Sequence, residues 1–142
     1  MSTGKIQRPI AVLLTLVLAA FVSSCGSETD TGTGVRKVSV ETAADILFES
    51  PPADLVVLDV RTVEEFTASR LPESVMIDFY RPDFEARVAE LDRDVPYLLY
   101  CRSGNRSDSA RKIMDDLGFT NVADVQGGIT AWLDAGQPFV TG

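Results

Sequence analysis

Histidine is absent from this 142-residue chain. That absence excludes every mechanism built on a Ser-His-Asp triad, a Cys-His pair or a histidine-ligated zinc ion. Cysteine is nearly absent: Cys25 and Cys101 are the only two. Without histidine beside them they have no metal-binding company, so neither a metal nor another cofactor is expected. Positive charge is scarce, with 13 Lys and Arg against 21 Asp and Glu and a net charge of −8. A surface for nucleic acid is therefore not expected. No apolar run is long enough to cross a bilayer comfortably. Ile10 to Val22 is thirteen residues broken by Thr15, where about twenty are needed. Internal repeats are missing too. What is present, 45% hydrophobic and 24% charged, is the composition of one ordinary globular domain with room for a short tail.

The stretch around which the rest is organised is Tyr100-Cys101-Arg102-Ser103-Gly104-Asn105-Arg106-Ser107. An apolar run, Val95 to Tyr100, leads in, and a helical pattern, Ser107 to Leu117, leads out. Strand, tight loop and helix place Cys101 at the carboxyl end of a strand. Backbone N–H groups curled toward a helix start form an anion-binding nest. Arg102 and Arg106 add full positive charges. A thiol there is expected to ionise below its usual pKa and act as a nucleophile. The plainer alternative is a small buried hydrophobe at a strand end. Small polar residues after Cys101, two nearby arginines and the helix start favour the reactive thiol.

Around this loop, short apolar runs alternate with helical patterns. Val35–Val40 is β-branched and reads as a strand. Ser39 can cap a helix over Glu41–Phe48, which Ser50-Pro51-Pro52 ends. Leu55–Leu58 reads as a strand buried on both faces, and polarity returns at Asp59-Val60-Arg61. Thr62 can cap a helix over Val63–Ser69, with Glu64 and Glu65 in its first turn. Ser74–Asp78 is the next strand, and Phe84, Val88 and Leu91 have helical spacing. Ile113, Met114 and Leu117 face the core from the helix after the cysteine loop. Asn121–Val125 is a last strand. Gln126-Gly127-Gly128 turns into a helix over Ile129–Leu133 that carries a core Trp132. The expectation is an α/β domain with a mostly parallel, five-stranded sheet and helices on both faces. Asp59, Arg61 and Cys101 fall at the carboxyl strand ends, where such sheets bind ligands.

Three segments in this order resemble the rhodanese family. Leu58-Asp59-Val60-Arg61-Thr62-Val63-Glu64-Glu65-Phe66 is similar to its Leu-Asp-Val-Arg-x-x-x-Glu-Phe motif. Tyr100–Ser107 is similar to its active-site loop. Gly118-Phe119-x-x-Val122 with Gly127-Gly128-Ile129-x-x-Trp132 is similar to its closing motif. The resemblance spans about residues 36–139. It implies a single α/β sulfurtransferase domain in which Cys101 takes a sulfane sulfur from thiosulfate or another small sulfur-containing anion. A persulfide forms, and a thiol or cyanide acceptor removes the sulfur. The loop residues Arg102, Ser103, Gly104, Asn105 and Arg106 would stabilise the thiolate and the persulfide. Arg102 would receive the anionic donor, and Arg106 would close the loop inward against an acid such as Asp59. Asp59 and Arg61 read either as a structural ion pair or as substrate contacts. Arg70-Leu71-Pro72-Glu73-Ser74 stands where the family commonly has His-Ile-Pro-Gly-Ala. A non-catalytic sulfur carrier or binding module is the alternative. Phosphatase or arsenate reductase chemistry is disfavoured, because only four residues separate Cys101 from Arg106. A loop that short is too tight for a tetrahedral oxyanion.

The amino-terminal segment resembles the export signal of a bacterial lipoprotein. Lys5 and Arg8 form a basic head, Ile10–Val22 an apolar core, and Val22-Ser23-Ser24-Cys25 a lipobox-like end. The resemblance implies removal of residues 1–24 and acylation of Cys25. The protein is then lipid-anchored to the extracytoplasmic face of the bacterial cell membrane. Residues 25–35 form a polar tether and residues 36–142 the domain. Loss of Lys5 and Arg8 leaves a more acidic chain, held off an anionic membrane surface. With Cys25 acylated, no intramolecular disulfide competes for Cys101.

Overall fold

The computed structural model describes Met1 and residues 34–142. The expected export signal, Cys25 and nearly all of the tether lie outside the described residues. Five strands, β1 (Gly34–Val38), β2 (Val56–Asp59), β3 (Ser74–Met76), β4 (Tyr97–Tyr100) and β5 (Asn121–Val125), form one sheet in the order β1-β5-β4-β2-β3. Every pair in it is parallel. Helices α1 (Val40–Ala44, continued by a π turn over Asp45–Glu49), α2 (Val63–Ala68), α3 (Phe84–Ala89), α4 (Asn105–Asp116) and α5 (Gly128–Asp134) alternate with the strands. The α/β architecture expected from the pattern is the one observed.

The connection from β1 to β2 crosses the sheet in one direction, and those from β3 through β4 to β5 return in the other. A constant crossover hand puts their helices on opposite faces. Alternation along β4 serves both layers. Leu98 and Tyr100 pack with Ala43, Ile129 and Trp132 on one face. Tyr97, Leu99 and Cys101 pack with Val88, Ala110 and Met114 on the other. All four β4 residues are buried. Each fully buried leucine contributes about 1.5–3 kcal/mol, so the strand that leads into the cysteine is firmly anchored in the sheet. The Tyr100 hydroxyl accepts the Leu71 amide at 3.1 Å and lies 3.3 Å from Ser74 Oγ. Burial, and then the charge of Asp59, raise its pKa and keep it neutral.

Most boundaries differ from the sequence pattern by one or two residues, and three of them have a clear local reason. β1 stops at Val38 because Ser39 Oγ accepts the Thr42 amide at 3.2 Å and starts α1. β3 stops at Met76, which pairs with Asp59 at the end of β2. α4 starts two positions early, at Asn105, because Gly104 adopts φ +98° and turns the loop directly into the helix. In the substituted turn at Arg70–Ser74 the Ser74 hydroxyl donates to the Leu71 carbonyl at 2.7 Å. Glu73, where the family commonly has glycine, takes φ +58°, a left-handed conformation that costs a side-chain-bearing residue about 1 kcal/mol.

Candidate functional site

Cys101 follows the last residue of β4, and its loop is shaped from two sides. On one side α5 approaches end-on. Its first-turn amides have no acceptor within the helix, and two of them donate to the loop: Ile129 to the Cys101 carbonyl at 2.8 Å and Thr130 to the Arg102 carbonyl at 3.0 Å. In a trans peptide the N–H points opposite to the C=O. Fixing those two carbonyls toward α5 therefore turns the Arg102 and Ser103 amides away from it. On the other side the first turn of α4 supplies the amides of Asn105, Arg106 and Ser107, none of which has an acceptor among the described residues. Between them the Gly104 amide donates to Cys101 Sγ at 3.1 Å. Among the described residues Gly104 is the loop amide that reaches the sulfur.

The sequence pattern expected an unshielded sulfur. The structure differs: Cys101 is 1% exposed and belongs to the apolar layer with Leu58, Val60 and Phe84. The polar residues of the loop, Arg102, Ser103 and Asn105, are themselves exposed.

The two arginines have different duties. Arg106 was expected to close the loop inward against an acid, with Asp59 as the candidate; it does close on an acid, but not on that one. Instead it forms a two-pronged pair with Glu65 of α2, Nη1 to Oε2 at 2.7 Å and Nη2 to Oε1 at 2.8 Å. Asp59 is unavailable because Arg61 already holds it, with Nη2 to Oδ2 at 2.6 Å and Nε within 2.9 Å of both oxygens. Both members of that pair are buried, and Arg61 also donates to the Ser69 carbonyl. Asp59 and Arg61 thus brace the β2 end against the turn after α2. A guanidinium paired with a carboxylate brings no net charge, so Arg102, which has no carboxylate partner among the described residues, is the uncompensated one of the two. It is exposed and borders a cavity of about 330 Å³ with Arg61, Glu65, Ser69 and Thr130. The Arg106 guanidinium also lies 5.3 Å from the centre of the exposed Tyr80 ring.

Glu65 was read from sequence only as a favourable first-turn acid. It does two jobs: a capping box with Thr62, and the clamp on Arg106. The signal was present in the motif Leu-Asp-Val-Arg-x-x-x-Glu-Phe, whose glutamate it is. Hydrogen bonding from Arg106 outweighs desolvation and lowers the Glu65 pKa to about 2. The stabilisation is therefore fully present above the unfolded-state value near 4.5 and is lost as pH falls toward about 2. Glu65→Gln is expected to cost about 2 kcal/mol at pH 7. Urea midpoints of the variant and the parent should converge as pH approaches 2. A constant gap down to pH 2 would show that the charge on Glu65 is not what matters.

The glycines Gly127 and Gly128 were read from sequence as a turn, and the structure gives Gly128 a further role. It sits at φ +58°, and a methyl group there would lie 2.7 Å from the carbonyl carbon and oxygen of Arg102 and closer still to the Cys101 carbonyl oxygen. Only a residue without a side chain lets α5 reach the loop.

Comparison with known proteins points the same way. The Rhodanese-like domain family matches residues 39–135. The chain is 33% identical over 128 residues to "Adenylyltransferase and sulfurtransferase UBA4" of Scheffersomyces stipitis, covering 83% of this chain but only 28% of that protein. It is 38% identical to "Putative sulfurtransferase YtwF" of Bacillus subtilis over 60% of this chain and 80% of that one. Among solved structures, a rhodanese-related protein from Thermoplasma volcanium superposes with a TM-score of 0.65 at 29% identity, covering 75% of this chain and 99% of that one.

Proposed function

Because the chain belongs to the rhodanese-like domain family, we propose that it is a sulfurtransferase with Cys101 as the nucleophile and persulfide carrier. Sulfurtransferase relatives at modest identity support the general activity. The observation that carries the finer reading is the Gly104 amide on Cys101 Sγ at 3.1 Å, at the mouth of the central strand.

In the first half-reaction the Cys101 thiolate attacks the outer sulfur of thiosulfate. The new bond joins Sγ to that sulfur, the S–S bond of thiosulfate breaks, and sulfite leaves with its electron pair. In the second, cyanide or a thiolate attacks the outer sulfur of the persulfide, and the Sγ–S electron pair returns to Cys101 as thiolate. Arg102, exposed beside the loop, attracts the anionic donor. The amides of Ser103 to Ser107 stabilise the anionic sulfur at either stage. The burial of Sγ suits this division of labour, because the transferable sulfur projects about 2 Å beyond it.

The test is the intact mass of the chain after incubation with thiosulfate, followed by cyanide. A gain of one sulfur atom on the Cys101 peptide, lost again with cyanide, is expected. No gain with any sulfane donor would instead favour a binding module. The spacing of four residues between Cys101 and Arg106, together with the commitment of Arg106 to Glu65, leaves little room for a phosphate or arsenate.

The proposal extends to location. The basic head, apolar core and Val22-Ser23-Ser24-Cys25 end support a chain acylated at Cys25 and tethered to the extracytoplasmic face of a bacterial membrane. Cys25→Ala is expected to release it into the soluble fraction. Unchanged sedimentation with membranes would refute the anchor.

A further inference from the structure

The cavity of about 330 Å³ beside Arg102 is large enough for a small organic molecule as well as for an inorganic anion. Its charged walls are Arg61, Glu65, Arg102 and Asp134. Two of the four are already neutralised, Arg61 by Asp59 and Glu65 by Arg106. What remains is one cation, Arg102, and one anion, Asp134. Neither has an ion-pair partner among the described residues.

Helix α5 fixes the relation between these two charges. The Thr130 amide bonds to the Arg102 carbonyl at 3.0 Å, which sets Thr130 level with the start of the loop. Asp134 follows four residues later, on the same face of the helix and about 6 Å farther along its axis. Thr130 and Asp134 both line the cavity, and Leu133 adds an apolar wall beside them. Asp134 is also the last residue of α5. The carboxyl end of a helix favours a cation, yet the last turn of α5 carries none. The carboxylate therefore adds to the partial negative charge of the helix end. That is a local cost with no compensation inside the domain, and a bound cation would supply it.

We propose, on the sulfurtransferase reading above, that this cavity is the acceptor site and that it selects a short aminothiol, with an ammonium group two carbons from its sulfur. Arg102 draws in the thiolate, and Asp134 takes the ammonium. The thiolate attacks the outer sulfur of the Cys101 persulfide and a new S–S bond forms. The Sγ–S electron pair returns to Cys101, and an aminoalkyl persulfide leaves. Thiosulfate has no cation for Asp134 to meet, so the same carboxylate disfavours the donor and favours the acceptor.

This charge selectivity is readable at Cys101 without sulfur transfer. The full chain is treated with 2-aminoethyl or 2-hydroxyethyl methanethiosulfonate. The Cys101 thiolate takes the S-alkyl group, a sulfinate leaves, and peptide mapping gives the two rates at Cys101. The ratio of aminoethyl to hydroxyethyl rate is expected to fall about threefold in Asp134→Asn at low ionic strength, and by less at high salt. Thermal unfolding checks that the variant folds. Asp116→Asn removes the same charge from the exposed end of α4, outside the cavity, and should keep the parent ratio. In the transfer reaction, Asp134→Asn should lower kcat/KM for cysteamine relative to 2-mercaptoethanol and raise it for thiosulfate. A ratio unchanged in Asp134→Asn, or lowered equally in Asp116→Asn, overturns the proposal. Selective modification that persists where thiosulfate yields no persulfide would leave the cation subsite standing and count against the sulfurtransferase reading alone.

Discussion

Cys101→Ser is expected to abolish sulfur transfer to any acceptor, by at least about a thousandfold, while the domain stays folded. The rate falls because a serine hydroxyl remains protonated at neutral pH and an oxygen cannot hold a sulfane sulfur as a carrier does. The fold survives because the change is local. The Gly104 amide that met Sγ finds an oxygen acceptor in the same place, so no buried donor is orphaned. Burying a hydroxyl among Leu58, Val60 and Phe84 costs about 1–2 kcal/mol, against which the hydrogen bond to Gly104 recovers a part. Transfer from thiosulfate to cyanide and urea denaturation measure the two halves separately. Retained turnover would remove Cys101 from the chemistry. Lost turnover together with lost folding would show only that the site is structurally essential.

Gly128→Ala is expected to have the largest effect on stability of any single methyl group in the domain, at least about 3 kcal/mol. Two costs add. The position has φ +58°, where a side chain pays about 1 kcal/mol or more. The new methyl also overlaps carbonyl atoms of Cys101 and Arg102, which are backbone and cannot swing aside. Relief requires α5 to withdraw, which breaks the Ile129 and Thr130 hydrogen bonds to the loop. The variant should therefore lose transfer activity even at temperatures where it remains folded, and its loop should alkylate differently from the parent. Gly136→Ala is the control: that glycine also has a positive φ, but nothing lies near its absent side chain. Equal losses in the two variants would mean that backbone strain alone, and not contact with the loop, accounts for Gly128.

Much of the layout was legible in one dimension. The continuous apolar runs at Leu55–Leu58 and Tyr97–Tyr100 announced strands covered on both faces. A strand between two layers has no polar side to display, so its composition reveals its surroundings. Ser39 and Thr62 marked helix starts because their hydroxyls satisfy amides within their own turn. The position of Cys101 at a strand end followed from the same local bookkeeping. Boundaries slipped where a neighbour decided them, as with the Gly104 turn that starts α4 early.

The sequence by itself determined the layered α/β class, the strand that carries the cysteine and the loop that follows it, because periodicity, caps and turn residues act within a few positions of themselves. Which charges meet was decided only by the tertiary structure. Arg106 closes on Glu65, 41 positions away, rather than on Asp59. Gly128 is needed because a helix 27 residues downstream docks on the cysteine loop. Asp124 meets Arg111 only at 3.9 Å, while Asp108 holds all three nearby cations at 2.8 to 2.9 Å. Competition between charged groups is settled by distance through space, and a linear pattern contains no such distances until the sheet has brought the strand ends together.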